Sequence, residues 1–218
     1  MSSYPVDSLN KVKRIPKRGH YDRKTIYKIL DAGFLCHLGF SLDNQPFVIP
    51  TSYGRKGDKI YLHGAATSRM LVNLEKGLPV CMTVTHFDGL VLARSAFHHS
   101  MNYRSAVCFG TAHKVEGIEK DEALKIISDQ ILPGRWEECR GPSAKELKAT
   151  TVLCFEITQA SAKIRTGPPG DDKPDYDLPI WAGIVPATQV WGDPQPDPLL
   201  KEGIKEAESI QQLWNKNT

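Results

Sequence analysis

The sequence predicts a mainly β protein: six or seven antiparallel strands closed into a barrel, with helices at its periphery. Three observations predict it. Short runs alternate apolar and polar residues, as strands with one inward face do. Turn-forming residues separate these runs at hairpin distances. The helical crossovers that a parallel sheet needs between most of its strands are missing. The chain has 218 residues, 40% apolar and 24% charged, the composition of an ordinary globular domain. A chain of this length buries about 70% of its unfolded surface and needs no staples to hold a core.

The elements follow in order. Residues 1–18 gather Lys11, Lys13, Arg14, Lys17 and Arg18 and read as a basic, flexible arm. Asp22 can cap a helix whose apolar stripe is Ile26, Ile29 and Leu30, with Gly33 ending it. "FLCHLGF" reads as a strand, "DNQ" at 43–45 as a turn, and "PFVIPTSY" as the returning strand. Pro50 cannot donate to a ladder, so it marks an edge or a break in that strand. "RKGD" at 55–58 is a second turn, followed by the strand "KIYLHG" and a short helix from about Ser68 to Lys76. "PVCMTVTHF" comes next, and Asp88-Gly89 predicts a hairpin into "LVLARSAF". "YRSAVCFGTAHKV" is a long strand. "EKDEALKIISDQIL" is a helix with Leu124, Ile127 and Ile131 on one face, and "TVLCFEITQASAKIR" is the last long strand. The barrel domain is thus 19–165. From Thr166 the chain turns acidic and rich in turn formers. Residues 166–218 read as a loop, the apolar segment "WAGIVPATQVW" and a helix from Leu199 to Trp214, wrapping the barrel or a second subunit.

Composition excludes several function classes. The net charge is +3, with most basic residues interspersed among acids, which argues against nucleic acid as a partner. No apolar run approaches the roughly 20 residues that span a bilayer, and the N-terminus lacks the apolar core of a secretory signal. A cytoplasmic protein with no membrane partner is expected. The five cysteines show no CxxC spacing. Cys36, Cys81, Cys108 and Cys154 lie in strand-like runs and read as buried thiols of a reducing compartment, with no disulfide framework and no metal site.

Three stretches carry chemistry. In "KIYLHGAATSRMLVNL" a strand hands over to a helix near Thr67 or Ser68. The free N–H groups and positive dipole end of that helix face the space beyond His63, a place suited to a phosphate. Ser68 adds a hydroxyl, Arg69 a two-pronged charged contact, and Gly64 permits close backbone approach. A phosphomonoester carries about two negative charges, so a second cation is expected, and Arg104 is the candidate. An ordinary capped helix beside an exposed arginine would show the same pattern. In "RSAFHHSMNYRSAVCFG" serines, histidines, a tyrosine and an arginine crowd the connection between two strands, where functional residues concentrate. His98 and His99 would face opposite ways on an extended strand, so they do not suit one metal ion. Ser95 or Ser105 with a histidine lacks the GxSxG elbow of a hydrolase. In "VIPTSYGR", Thr51, Ser52 and Tyr53 offer hydrogen bonds to something planar lying on the sheet, although an edge strand and turn would also account for them.

Taken in order, "FLCHLGF", "PFVIPTSYGRKGDKIYLHGA", "SRML", "DGLVLARSAFHHSMNYRSAVCFGTA" and "WAGIVP" resemble the flavin-nucleotide-binding branch of the pyridoxamine 5′-phosphate oxidase-like superfamily. Proteins related to nitroimidazole resistance belong to that branch. The resemblance implies a six-stranded split β-barrel that forms a homodimer with FMN in the subunit interface, acting on a small molecule as an oxidoreductase. By that resemblance Pro50, Thr51, Ser52 and Tyr53 lie by the flavin ring, and His63, Gly64, Ser68 and Arg69 lie by the ribityl phosphate. Ser95, Tyr103, Arg104, Ser105 and Trp181 complete the pocket. His63 could donate a proton to a reduced substrate, and a structural hydrogen bond to the cofactor serves equally. A flavin or haem carrier without turnover is the alternative. True pyridoxamine phosphate oxidases end in an arginine-containing strand, whereas this chain ends "QQLWNKNT", so vitamin B6 oxidation is not implied.

Overall fold

The alternating runs become nine antiparallel strands among the residues described, 2–215, in the computed structural model. Met1 of the expected arm and residues 216–218 of the expected C-terminal region lie outside the described residues. The strands are β1 (Gly19–His20), β2 (Leu35–Leu42), β3 (Gln45–Ser52), β4 (Gly54–Lys56), β5 (Lys59–Ala65), β6 (Pro79–Leu92), β7 (Ser100–Lys114), β8 (Thr150–Arg165) and β9 (Gly183–Pro186). The helices are α1 (Arg23–Asp31), α2 (Arg69–Leu74), α3 (Gly117–Ile131), α4 (Ala144–Ala149) and α5 (Glu208–Asn215).

Hydrogen-bonded neighbours run β3-β2-β6-β7-β8-β5-β4. β3 and β4 are two halves of one bent strand with only Tyr53 between them, one bonded to β2 and the other to β5. That bend closes the barrel, so the fold has six walls although it has nine strand segments. The long strands β6, β7 and β8 also reach beyond it. β9 adds to the far half of β6 and β1 to the far half of β8, which splits the barrel. Inward residues such as Leu38, Leu62, Met82, Leu153 and Phe155 form the core, capped by Ile26, Ile29 and Leu30 of α1. A second cluster on the outer face joins Tyr61, Val152 and Cys154 to Ala123 and Ile127 of α3.

Local chemistry explains the boundaries. The Asp22 carboxylate accepts from the Thr25 N–H at 2.8 Å and starts α1. Asp43 and Asn44 both have positive φ, the conformation a two-residue hairpin turn demands. Pro50 is tolerated because β3 pairs with β2 alone.

Several expectations are corrected. No hairpin forms at Asp88-Gly89. β6 runs straight through with a bulge between Phe87 and Gly89, and the chain turns at 93–99 instead. Gly89 serves a close approach: a Cβ there would sit 2.6 Å from the Val185 carbonyl of β9. The C-terminal helix is only Glu208–Asn215, because Gly203 takes a left-handed turn in the middle of the expected span. The N-terminal stretch is docked. Tyr4 is buried and donates to Asp58, which also accepts from Tyr27 at 2.5 Å and pairs with Arg23. On α3 the buried residues are Ala123 and Ile127, while Ile131 is exposed. Cys36, Cys108 and Cys154 are buried as expected, and Cys81 is half-buried.

Candidate functional site

The strand-to-helix joint forms as the spacing predicts. β5 ends at Ala65, Ser68 is the N-cap residue, and α2 begins at Arg69. The Ser68 side chain makes no capping hydrogen bond, so its hydroxyl is available to another partner. Ala65, Ala66, Thr67 and Arg69 are exposed, and the corner therefore opens to solvent. Arg69 pairs with no carboxylate among the described residues. Its guanidinium lies 4.7 Å over the Phe47 ring of β3, and β3 also touches β5. The start of the "PFVIPTSY" strand is thus brought to the phosphate-type corner, and residues 50–53 lie three to six residues further along the same strand.

His63 is the most telling group in this set. Its ring is half-buried, and Nδ1 is sealed from solvent with no hydrogen-bond partner. Burial lowers its pKa, so the imidazole is neutral at pH 7. A buried polar atom left without a partner costs about 1–3 kcal/mol.

Other members of the set have different duties. Gly64 makes room for α2 rather than for a ligand: a Cβ there would lie 3.0 Å from Leu71 Cδ1. Tyr53 is fully buried and donates to the Leu30 carbonyl at 2.5 Å, so its ring belongs to the core. Burial raises its pKa. Thr51 and Ser52 are half-buried and Pro50 is exposed.

The remaining residues gather elsewhere. Arg104 is held by Asp88 through contacts of 2.8–3.2 Å, and those hydrogen bonds raise its pKa. It is therefore not a free second cation. The Ser105 hydroxyl donates to the Lys163 carbonyl, and that of Ser95 accepts from the Phe97 N–H. Tyr103 is half-buried, and Trp181 is 66% exposed. His63 lies level with Val152 of β8, and its neighbour Leu153 pairs with Lys114 at the end of β7. Tyr103 and Arg104 lie near the start of that strand. The corner and Tyr103 are therefore about 30 Å apart along β7 within one chain, whereas Ser52 lies level with Ser105 through Leu35 of β2 and Thr85 of β6.

Sequence reasoning missed what stands around the second set. Arg165, only 7% exposed, donates to the Asn102 side chain and to the carbonyls of Gly167 and Pro168, with no carboxylate partner among the described residues. Burial lowers its pKa. As the last residue of an alternating strand it reads as a solvated end, and no sequence signal marks it. The enclosed Asp171 accepts from the N–H groups of Arg94 and Ser95 and pairs with the Arg94 guanidinium at 3.2 Å. A cavity of about 650 Å³ lies between Leu9, Phe47, Cys81 and Phe109, and none of the predicted site residues lines it.

Comparisons with known proteins agree with the barrel. The sequence matches the pyridoxamine 5′-phosphate oxidase family over residues 22–164. The fold is similar to that of the flavocytochrome Anf3 from Azotobacter vinelandii, with 39% identity, 97% of this chain and 99% of that one covered, and a TM-score of 0.90. It is also similar to the FAD and haem binding protein from Mycobacterium smegmatis, with 34% identity, coverage of 90% and 97%, and a TM-score of 0.87. A candidate 5-nitroimidazole antibiotic resistance protein from Bacteroides thetaiotaomicron shares the fold at 24% identity, coverage of 67% and 86%, and a TM-score of 0.57. No curated protein sequence matches the chain.

Proposed function

The chain belongs to the pyridoxamine 5′-phosphate oxidase family, and on that premise we propose that it binds a flavin nucleotide at the β5–α2 corner and uses it in electron transfer with a small molecule. The observation that carries this reading is the open corner itself, where the Ser68 hydroxyl makes no capping bond and the Arg69 guanidinium pairs with no carboxylate among the described residues. A phosphate suits such a corner.

The flavin, when bound, supplies the two-electron chemistry. The chain binds and orients it. Arg69 and Ser68 hold the phosphate, Thr51 and Ser52 border the ring, and the neutral His63 makes a hydrogen bond. FMN is the nucleotide the resemblance implies. FAD contains the same riboflavin phosphate, and one of the similar structures binds FAD. The mass of the flavin released from purified protein separates the two.

Two copies make the site. The phosphate corner lies about 30 Å along β7 from Tyr103 and Arg104, and on this reading a second copy supplies them. The exposed Phe87, Leu90, Met101 and Val185 near that second set support a contact surface there.

A haem group is a second reading, favoured by one cluster. His98 and His99 sit beside Phe97, which is 89% exposed, and Met101 and Trp181 are exposed at the same end of the sheet. An imidazole beside exposed apolar side chains suits haem iron, and binding it through Nε2 would displace the contact of His98 with Asp172 or that of His99 with the Ala93 carbonyl.

The visible spectrum tests both readings. Purified protein is expected to be yellow, and Arg69→Ala to lose most of its flavin, at least tenfold in affinity. Protein that is colourless and ignores added FMN and FAD overturns the flavin reading. A haem band that disappears in His98→Ala or His99→Ala supports the second. Reduction by NAD(P)H followed by reoxidation with candidate acceptors separates an enzyme from a carrier.

A further inference from the structure

On the α3 side of the β7–β8 ladder we propose a binding site for a divalent transition metal ion, zinc fitting best, built from His113, Cys154 and Glu156. His113 faces Cys154 directly across the ladder. Glu156 lies two residues further along β8, so its side chain leaves the same face of the sheet. One ligand atom from each residue lies within 4.8 Å of the other two. Zinc bonds of about 2.0–2.3 Å place tetrahedral ligands about 3.5 Å apart, a distance that small side-chain rotations reach.

The donor set selects the ion. A thiolate sulfur, an imidazole nitrogen and a carboxylate oxygen suit zinc and its neighbours rather than magnesium or calcium. One thiolate and one carboxylate neutralise a divalent cation, so the bound site carries no net charge. The nearest other charges, Lys59 of β5 and Glu119 of α3, already pair with each other at 2.9 Å and add none.

The three side chains have no competing duty. His113 and Glu156 make no hydrogen bond or ion pair among the described residues, and Cys154 is a free thiol. Burial raises that thiol to about 11, so binding the metal releases its proton. The wall behind the sulfur is apolar, formed by Val152, Ala123 and Ile127, while His113 and Glu156 are exposed. The ion would enter from solvent and keep one coordination position open to water. The cysteine spacing could not suggest this, because the ligands come from two strands that only the fold brings together. The inference does not rest on the flavin reading, and the triad shares no residue with that site.

The test uses the full chain, stripped by a chelator and titrated with zinc against a chromophoric competitor. One equivalent is expected to bind. Cobalt in its place should give a thiolate-to-cobalt charge-transfer band and ligand-field bands to the red of flavin absorption. His113→Ala and Glu156→Gln, both at exposed positions, should each weaken zinc binding roughly tenfold or more. Cys154→Ser should abolish the charge-transfer band. Should that buried variant fail to fold, the two exposed variants decide alone. Wild-type protein that takes up no zinc, or exposed variants that bind as tightly as wild type, overturns the proposal.

Discussion

Burial lowers the pKa of His63 in the folded chain, so the unfolded chain binds a proton there more readily. Stability therefore rises with pH across this group. Its contribution is complete above the unfolded value of about 6.5 and is lost as the pH falls below it. The melting temperature of the wild type should thus drop more steeply than that of His63→Gln as the pH falls from about 7.5 to about 5. Parallel curves would contradict the burial argument, since every other titrating group is common to both proteins. Single residues were legible in the sequence where type and position coincide. Ser68 and Arg69 stand at the one joint where a strand pattern gives way to a helix pattern. Tyr53 and Gly64 misled because what each one faces depends on α1 and α2 packing against them from elsewhere in the chain. Arg165 gave no signal, as only the fold reveals that its guanidinium is enclosed.

At the scale of elements, the ladder between β7 and β8 turns on one glycine. Its register shifts between Phe109 and Gly110, and a Cβ at Gly110 would sit 1.9 Å from the Glu156 carbonyl. Backbone cannot yield as a flexible side chain does, so Gly110→Ala should cost about 3 kcal/mol. Gly141→Ala, where a Cβ meets nothing within 4 Å, should change stability by less than about 0.5 kcal/mol. Denaturant midpoints of the two variants check this, and equal midpoints would contradict it. The strands themselves were legible because alternation is a local property of the chain. Their endings were less so. Asp88-Gly89 carries the residues of a hairpin turn, yet in the fold Arg104 holds Asp88 and β9 packs on Gly89. The short β9 was legible only as an apolar segment, since nothing in four residues announces which strand they will join.

For the whole molecule, the closed barrel followed from the number of alternating runs and the lack of crossovers. The docking of the N-terminus did not, because it depends on Asp58 gathering Tyr4, Tyr27 and Arg23 from distant parts of the sequence. Burial by itself would raise the Asp58 carboxyl, but the two hydroxyls and the guanidinium outweigh it and hold the pKa below the usual range. A basic composition at a terminus says nothing of such an anchor. The candidate site was legible as stretches of residues, whereas the separation of the β5–α2 corner from Tyr103 along β7 emerges only from the register. That separation makes assembly the central claim: a flavin gripped by the corner of one chain is closed over by the far end of another. Co-expressed, differently tagged Arg69→Ala and Tyr103→Ala chains, purified as mixed pairs, test it through their flavin content. One of the two sites in each pair then receives an unaltered corner and an unaltered second set, so one flavin per pair is predicted, while pairs of either variant alone stay nearly empty. Mixed pairs without flavin, as a site confined to one chain requires, would contradict the account.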